Sequence, residues 1–134
     1  MSRRSARKNA FFLLFQMDFS EAAEFEQVKE IFFAEKEEPV EESDKAFILS
    51  EVEGTREHLE EIDAIIEQSA KGWDPERMNK VDLAILRLAV YEMKWGETPV
   101  GVAINEAVEL AKKFSSDEAP AFINGVLGKA AKVE

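Results

Sequence analysis

The sequence predicts an all-α protein of six to seven helices. Apolar residues recur at three- and four-residue steps along most of the chain, and the period-two alternation of half-buried strands is absent. Six glycines and four prolines interrupt 134 residues, of which 46% are hydrophobic. A chain of this size and composition can enclose one core. We therefore expect a single domain, residues 1–134, made of an N-terminal bundle (1–71) and a C-terminal bundle (72–134) around a shared buried helix.

The first two helices follow from uninterrupted apolar patterns. Helix 1 is expected over Arg3–Phe19, where no glycine or proline occurs. Its core-facing residues are Ala6, Ala10, Leu13, Leu14 and Met17. A second helix is expected over Phe25–Ala34. Its apolar stripe consists of Phe25, Val28, Ile31 and Phe32. Both patterns have the spacing of an amphipathic helix with one buried face.

A third helical region follows an acidic connection. Ser43 or Asp44 is suited to cap it, because side-chain oxygens at this position accept bonds from free backbone amides. We expect a break at Gly54, after which the apolar pattern resumes and reaches Ser69. The region is therefore one interrupted helix or two shorter ones.

The C-terminal half opens with a proline-containing turn. Asp74 precedes Pro75, which is the usual order of a cap and a first helical residue. Residues 79–95 are apolar almost all round, which is typical of a central buried helix. A further helix is expected over Thr98–Phe114, and Ser116 is expected to open the last helix.

Composition excludes several classes of function. The chain has no cysteine and a single histidine, His58, so neither a thiolate site nor a multi-histidine metal site can form. A GxxxxGK[ST] phosphate loop is also missing. We therefore expect no enzyme activity, no cofactor and no metal. The apolar run Ala10–Phe15 is too short for a signal peptide or a membrane span, so we expect a cytoplasmic protein with no membrane partner.

Charge is distributed unevenly along the chain. The net charge is −11, which taken alone argues against nucleic acid, since phosphate neutralisation supplies much of the affinity in such complexes. Within residues 1–20, however, four cations face one acid, whereas residues 21–60 hold fourteen acids and four cations. The basic start is either a binding surface or an ordinary solvated tail. Such polarity favours the orientation of a charged partner.

Helix 1 combines cations with aromatic rings. Steps of four, three and four residues place on one face Arg4, Lys8, Phe11 and Phe15. Arg3 and Arg7 occupy the adjacent column. Cations bind phosphates and rings stack on bases, as single-stranded RNA requires. The alternative is that the phenylalanines belong to the core. Lys112 and Lys113 either extend this basic surface or are ordinary cations at a helix C-terminus.

The last helix carries a second candidate ring, Phe122, which is either a core residue or an RNA-facing one. Next to it, Asn124 and Gly125 stand inside a helix, where glycine costs about 1 kcal/mol relative to alanine. Close helix packing that also involves Gly128 is the favoured reason, and RNA contact by Asn124 is the alternative.

Four blocks of the sequence, in this order and spacing, resemble the NusB family of bacterial transcription antitermination factors. The blocks are RRSARKNAFFLLFQ, ILRLAVYEM, VAINEAVELAKKF and AFINGVLGKAA. The resemblance covers nearly the whole chain and is weakest over residues 21–42. It implies two three-helix bundles that bind the boxA element of ribosomal RNA leader transcripts. It also implies two protein partners, NusE, which is a small-ribosomal-subunit protein, and the RNA polymerase antitermination complex.

The resemblance also implies particular site residues. Those expected to bind RNA are Arg3, Arg4, Arg7, Lys8, Phe15, Glu118, Phe122 and Asn124. Phe15 stands where the family usually has a tyrosine, so stacking is retained and one hydrogen bond is lost. Gly128 stands where an aspartate is common. The implied NusE surface lies within residues 73–91, and the residues matched to it are Glu76, Arg77 and Asp82.

A second class of function stays open on the sequence alone. The chain could be a non-enzymatic protein-interaction scaffold, such as a homodimer in which the basic helix 1 meets an acidic surface of its twin. Steep salt dependence of RNA binding would favour the antitermination factor. Salt-sensitive dimerisation without RNA binding would favour the scaffold.

Overall fold

The computed structural model describes residues 1–133, whose regular secondary structure is helical, with no strand among them. The helices are α1 (Arg3–Met17), α2 (Phe25–Ala34), α3 (Glu42–Glu57), α4 (Leu59–Ser69), α5 (Lys80–Lys94), α6 (Val100–Phe114) and α7 (Ala119–Ala130). None of them is long and apolar enough to cross a membrane. The all-α prediction is confirmed, and the last residue of the predicted domain, Glu134, lies outside the described residues.

Side-chain caps begin several of the helical segments. The hydroxyl of Ser2 accepts a hydrogen bond from the amide of Ser5 at 3.0 Å, which starts α1. Asn79 does the same for the amide of Val81 at 2.8 Å, at the start of α5. Asp74 caps the short 3₁₀ turn Pro75–Arg77. Each cap satisfies a backbone N–H that has no partner within its own helix, so these boundaries are determined locally.

Gly54 does not break the third helical region, contrary to the expectation. It lies inside α3, and the break falls at His58 instead. The ring of Tyr91 covers Gly54 so closely that a Cβ placed there would lie 2.3 Å from the ring atom Cζ. The glycine is thus required for the close approach of α5 and not for ending a helix.

Three smaller expectations also need correction. The helix α3 begins at Glu42, just before the predicted caps. The helix α7 begins at Ala119, because the carbonyl of Ser116 first accepts the Ala119 amide at 3.1 Å in a turn that precedes the helix. Ile31 is 49% exposed, since α2 packs through Phe25 and the half-buried rings that follow it.

The central helix is α5, as predicted. It contacts α1, α3, α4, α6 and α7. Its buried side chains include Leu83, Ile85, Leu86, Leu88 and Val90. The helix α4 packs mainly on α5 and α7. The division into bundles of residues 1–71 and 72–134 stays a prediction.

Two buried arginines join α1 to α5. Arg7 on α1 donates to Glu92 on α5 at 2.8 Å, and Arg87 on α5 donates to Asp18, just after α1, at 2.8 Å. Because Arg7 in the N-terminal half of α1 pairs near the C-terminus of α5, while Asp18 after α1 pairs with the earlier Arg87, the two helices run antiparallel. Arg87 also bonds both carboxylate oxygens of Asp63 at 2.9 Å and so fixes α4 as well.

Candidate nucleic-acid interface

A groove of about 200 Å³ lies between α1 and α6, and we call it the basic groove. Its lining residues are Arg4, Arg7, Lys8, Glu106, Glu109, Leu110, Lys112 and Lys113. Five cations thus face two carboxylates within an acidic protein. Helical spacing produces this arrangement, because residues three or four apart share a helix face. The lysines at the end of α6 therefore do extend the surface of α1.

Arg4 is held in a fixed position at the edge of the basic groove. Its Nε and Nη2 atoms donate to the two carboxylate oxygens of Glu106 at 3.0 and 2.7 Å. The side chain of Arg4 remains 66% exposed. The paired guanidinium lowers the pKa of the Glu106 carboxyl and so keeps it ionised. A planar guanidinium has five N–H donors, so donors remain free on Arg4 for a phosphate.

Arg7, in contrast, is buried, and its guanidinium has its partners within the fold. Its guanidinium lies 2.8 Å from Glu92 and 3.6 Å from Glu106. The hydroxyl of Thr98 donates to the same Glu92 carboxylate at 2.8 Å. Arg7 therefore uses its donors within the fold and positions Glu106, which in turn positions Arg4.

The other α1 candidates lie apart from each other. Lys8 is half-buried in the basic groove. Arg3 is exposed outside it, with its guanidinium 3.8 Å from the ring centre of Phe47. Phe15 is half-buried, and its ring lies 5.0 Å from that of the exposed Phe19. Neither ring lines the basic groove.

Phe114, the residue after the groove-lining Lys113, adds an aromatic ring that sequence reasoning missed. Its ring centre lies 5.5 Å from that of Phe11 and 5.2 Å from that of Phe12. Phe11 is buried, whereas Phe114 is 36% exposed. The sequence signal was its position directly after Lys113, which was taken only as the end of a helix.

A second concave surface, the aromatic pocket, has a volume of about 280 Å³. It is lined by Trp73, Met78, Asn79, Asp82, Ser116, Glu118, Ala119 and Phe122. The rings of Trp73 and Phe122 meet edge to face with centres 5.6 Å apart. Phe122 is half-buried, and Trp73 is 54% exposed. Trp73 was not singled out from the sequence, because a lone tryptophan beside a turn has no periodic pattern.

One short segment joins the two concave surfaces. Lys112 and Lys113 line the basic groove, whereas Ser116 and Glu118 line the aromatic pocket. Between them, the hydroxyl of Ser115 donates to Asp82 at 2.5 Å. Asp82 is buried, so this hydrogen bond fixes the segment to α5.

Like Arg3 and Phe15, three further candidate residues lie outside both linings. Asn124 is exposed on α7, and Glu76 and Arg77 are exposed on the 3₁₀ turn before α5. The explanation of Gly125 and Gly128 by close packing is wrong, because a Cβ added to either would meet nothing within 4 Å.

The combined surface has groups of the kind that bind a single-stranded nucleic acid. Within residues 1–133, no group of three or more histidine or acidic side chains is arranged to hold a metal. The basic groove offers cations to phosphates, and the aromatic pocket offers rings for stacking. The carboxylates of Asp82 and Glu118 in the same pocket are acceptors for the amino groups of bases.

Comparisons with known proteins point to one family. A model of the NusB family matches residues 4–132. The chain is 45% identical over 130 residues to the transcription antitermination protein NusB of Agathobacter rectalis, covering 96% of this chain and 98% of the relative. A solved structure of T. maritima NusB is 30% identical with a TM-score of 0.85, covering 98% and 92% of the two chains. A chain in a crystal structure of antitermination factors NusB and NusE with double-stranded RNA is 29% identical, with a TM-score of 0.80 and coverage of 97% and 96%.

Proposed function

Because this chain belongs to the NusB family, we propose that it is an RNA-binding transcription antitermination factor. In this role it binds boxA RNA of ribosomal RNA leader transcripts together with NusE, and the complex helps RNA polymerase to resist termination. The observation that carries the proposal is the continuous surface formed by the basic groove, residues 112–118 and the aromatic pocket. A solved NusB–NusE complex with RNA supports both partners.

The two concave surfaces bind different parts of the RNA, the basic groove its phosphates and the aromatic pocket its bases. Arg4, Lys8 and Lys113 contact phosphates, and this part of the affinity weakens as salt rises. Phe122 and the neighbouring Trp73 stack on bases, which contributes roughly 1–3 kcal/mol for each stacked base. Arg7 contributes through Glu106 and Arg4 and does not need to touch RNA.

The NusE surface is proposed on the exposed turn before α5. Glu76 and Arg77 are exposed there and available to a protein partner. Asp82 is buried against Ser115. Its contribution is therefore to hold residues 112–118 where NusE and RNA meet, and the partner contacts come from its exposed neighbours.

A binding titration tests the proposal. Labelled boxA RNA is titrated with the protein at two salt concentrations, with and without purified NusE. We expect binding that NusE strengthens and that salt weakens. Absence of binding in all four conditions, together with salt-sensitive dimerisation of the protein, would favour the scaffold function instead.

Single substitutions test the surface itself. Arg4→Ala, Lys8→Ala and Phe122→Ala are each expected to weaken RNA binding, the first two mainly at low salt. Lys132→Gln removes an equal charge outside both concave surfaces, and Ile31→Ala removes an exposed apolar side chain on α2. These controls should bind RNA as the unsubstituted protein does. Unchanged affinity in all three test variants would contradict the proposed surface.

A further inference from the structure

A third concavity, of about 430 Å³, lies on the other side of Arg7 from the basic groove. We call it the Glu51 pocket. It is formed by the N-terminal turns of α1, by α3 and by the connection between α5 and α6. The side chains that matter are Arg3, Phe47, Glu51, Tyr91 and Trp95. Arg7 lines both this pocket and the basic groove, so the two are neighbours on one surface.

Glu51 is the unusual group in this pocket. It is only 7% exposed, and within residues 1–133 its buried Oε2 atom has no hydrogen-bond donor. Desolvation and the nearby Glu92 raise the pKa of the Glu51 carboxyl to about 8. Nearly all buried polar atoms in folded proteins have a partner. Leucine would fill such a position without this penalty, whereas a ligand that brings its own N–H donors would satisfy the carboxyl.

Arg3 offers the opposite chemistry at the same pocket. Its guanidinium is exposed and lies over the ring of Phe47 at 3.8 Å. Among the described residues, no carboxylate forms an ion pair with it. The guanidinium is therefore oriented by the ring while its N–H donors remain free. The pocket thus presents acceptors at Glu51 and donors at Arg3.

Aromatic rings form the remaining wall. Trp95 stacks on His58 with ring centres 4.3 Å apart and an angle of 11° between their planes. Tyr91 is held by its contact with Gly54. Because both rings are fixed by the fold, they form a preformed flat surface and need no ordering when a ligand binds.

We propose that the Glu51 pocket accepts one unstacked guanine base of the RNA bound in the basic groove. When the base binds, Glu51 releases its proton to solvent, and the resulting carboxylate accepts the N1–H and 2-amino N–H of guanine. The guanidinium of Arg3 donates to its O6 and N7 atoms, which is a common pairing in base recognition. The inference rests on the proposed function, because the pocket is reached by a strand that follows the cations of α1.

Guanine is favoured over the other bases by its donors. Its Watson–Crick edge has two adjacent N–H groups, which match the two oxygens of one carboxylate. Adenine and cytosine each offer one amino group beside an acceptor nitrogen, and uracil offers one N–H between two carbonyl oxygens. Any of these would set an acceptor against Glu51, and sites built for hydrogen bonding discriminate strongly against such mismatches.

The test uses the full chain and three RNA oligomers of identical length. One contains a single guanosine in an adenosine and uridine background, the second has inosine at that place, and the third has adenosine. Inosine keeps N1–H but lacks the 2-amino group. We expect the protein to prefer guanosine over adenosine by at least about tenfold, which is within the range of one good bidentate base contact, with inosine in between.

Variants at residue 51 assign the preference to the pocket. Glu51→Leu should abolish the difference between guanosine and adenosine and leave the affinity for the adenosine oligomer unchanged. Glu51→Gln should reduce the difference, because an amide has only one acceptor oxygen. A thermal melt of each variant confirms that it is folded, and Glu51→Leu is expected to melt no lower than the unsubstituted protein.

The outcomes separate this inference from the proposed function. Failure to bind any oligomer, or boxA RNA, overturns both. Binding without a guanosine preference, or a preference that survives in Glu51→Leu, overturns the guanine pocket alone. Loss of NusE binding in Glu51→Leu, with base preference absent throughout, also overturns it and assigns the pocket to a protein contact.

Discussion

The two buried arginines at opposite ends of the α1–α5 interface have different surroundings. Arg87 contacts Asp18 and Asp63, each at 2.9 Å or less, and uses its donors on these two groups. Both carboxylates have exposed fractions that allow some solvation. Both carboxylates of this cluster are matched by hydrogen bonds from Arg87, and none of its members lines the basic groove or the aromatic pocket.

Arg7 faces more carboxylates than it can match. It bonds Glu92 and approaches Glu106. Desolvation and Glu92 raise the pKa of Glu51, and the nearby charge of Arg7 opposes this rise only in part. Glu106 also forms an ion pair with Arg4 at the surface. Glu51 keeps one oxygen without a donor.

The ion pairs of Arg87 join helices only, whereas those around Arg7 also shape the groups that the surface presents. A cluster in which every carboxylate has a hydrogen-bond donor stabilises the packing of helices and leaves no polar group for a ligand. An unmatched cluster costs stability, because a buried carboxyl without a partner is unfavourable, and it leaves polar groups for a ligand.

The largest effect is expected from Arg7→Met. The substitution keeps the length of the apolar stem but leaves Glu92 and Glu106 without a buried cation. Removing one partner of a buried pair typically costs about 3–5 kcal/mol, and the upper part of this range is expected here. Urea unfolding at pH 7 measures the loss, and a smaller loss than for Arg87→Met would contradict the comparison.

A smaller loss, roughly 2–4 kcal/mol, is expected from Arg87→Met. Asp18 and Asp63 are 15% and 28% exposed and regain part of their hydration when the arginine is removed. RNA affinity of the folded protein should be unchanged, because the cluster lies apart from the groove. Weaker RNA binding by this variant at a temperature where it is folded would show that the matched cluster also serves the surface.

Glu51→Leu is expected to stabilise the protein, by about 2 kcal/mol at pH 9. Because the pKa of Glu51 is raised from 4.5 to about 8, the native state holds a proton between these pH values that the unfolded chain has lost. The stability contribution of Glu51 is therefore full below about pH 4.5 and is lost as pH rises to 8. Urea unfolding at pH 5 and pH 9 should show a smaller decline for the variant, and equal declines would contradict the assignment.

The smallest effect is expected from Glu106→Gln. The neutral amide retains an acceptor for Arg4 and removes one negative charge from the basic groove. RNA affinity at low salt should rise by about threefold, because a more positive groove attracts phosphates more strongly. Glu67→Gln on the exposed side of α4 removes the same charge elsewhere and is the matched control. An equal gain in both variants would mean that only net charge matters.

Local patterns predicted much of this fold. The apolar spacing of α5 predicted its central position, and Asp74 followed by Pro75 predicted the start of the short turn before it. These features depend on residues close together in the chain. The Gly54 prediction was wrong because the neighbour that explains it, Tyr91, lies 37 positions later and sequence periodicity does not report such contacts.

The candidate site was less predictable for the same reason. Arg4 and Arg7 look alike in the sequence, yet one is exposed and the other buried, because their partners Glu106 and Glu92 come from distant helices. Phe114 and Trp73 became candidates only when their contacts with other rings were known. The RNA-binding and NusE-binding residues stay predictions until binding is measured.

The contact between Gly54 and Tyr91 also fixes the register of α3 against α5. The tyrosine ring enters a notch that exists only where α3 lacks a Cβ, so α3 cannot slide by one residue along α5 without placing a larger side chain against the ring. Sliding would also move Glu51 and Phe47 relative to Arg3, since all three depend on the register of these helices. Drift in evolution should therefore alter residues 54 and 91 as a pair, with a bulkier residue at one place accompanied by a smaller one at the other.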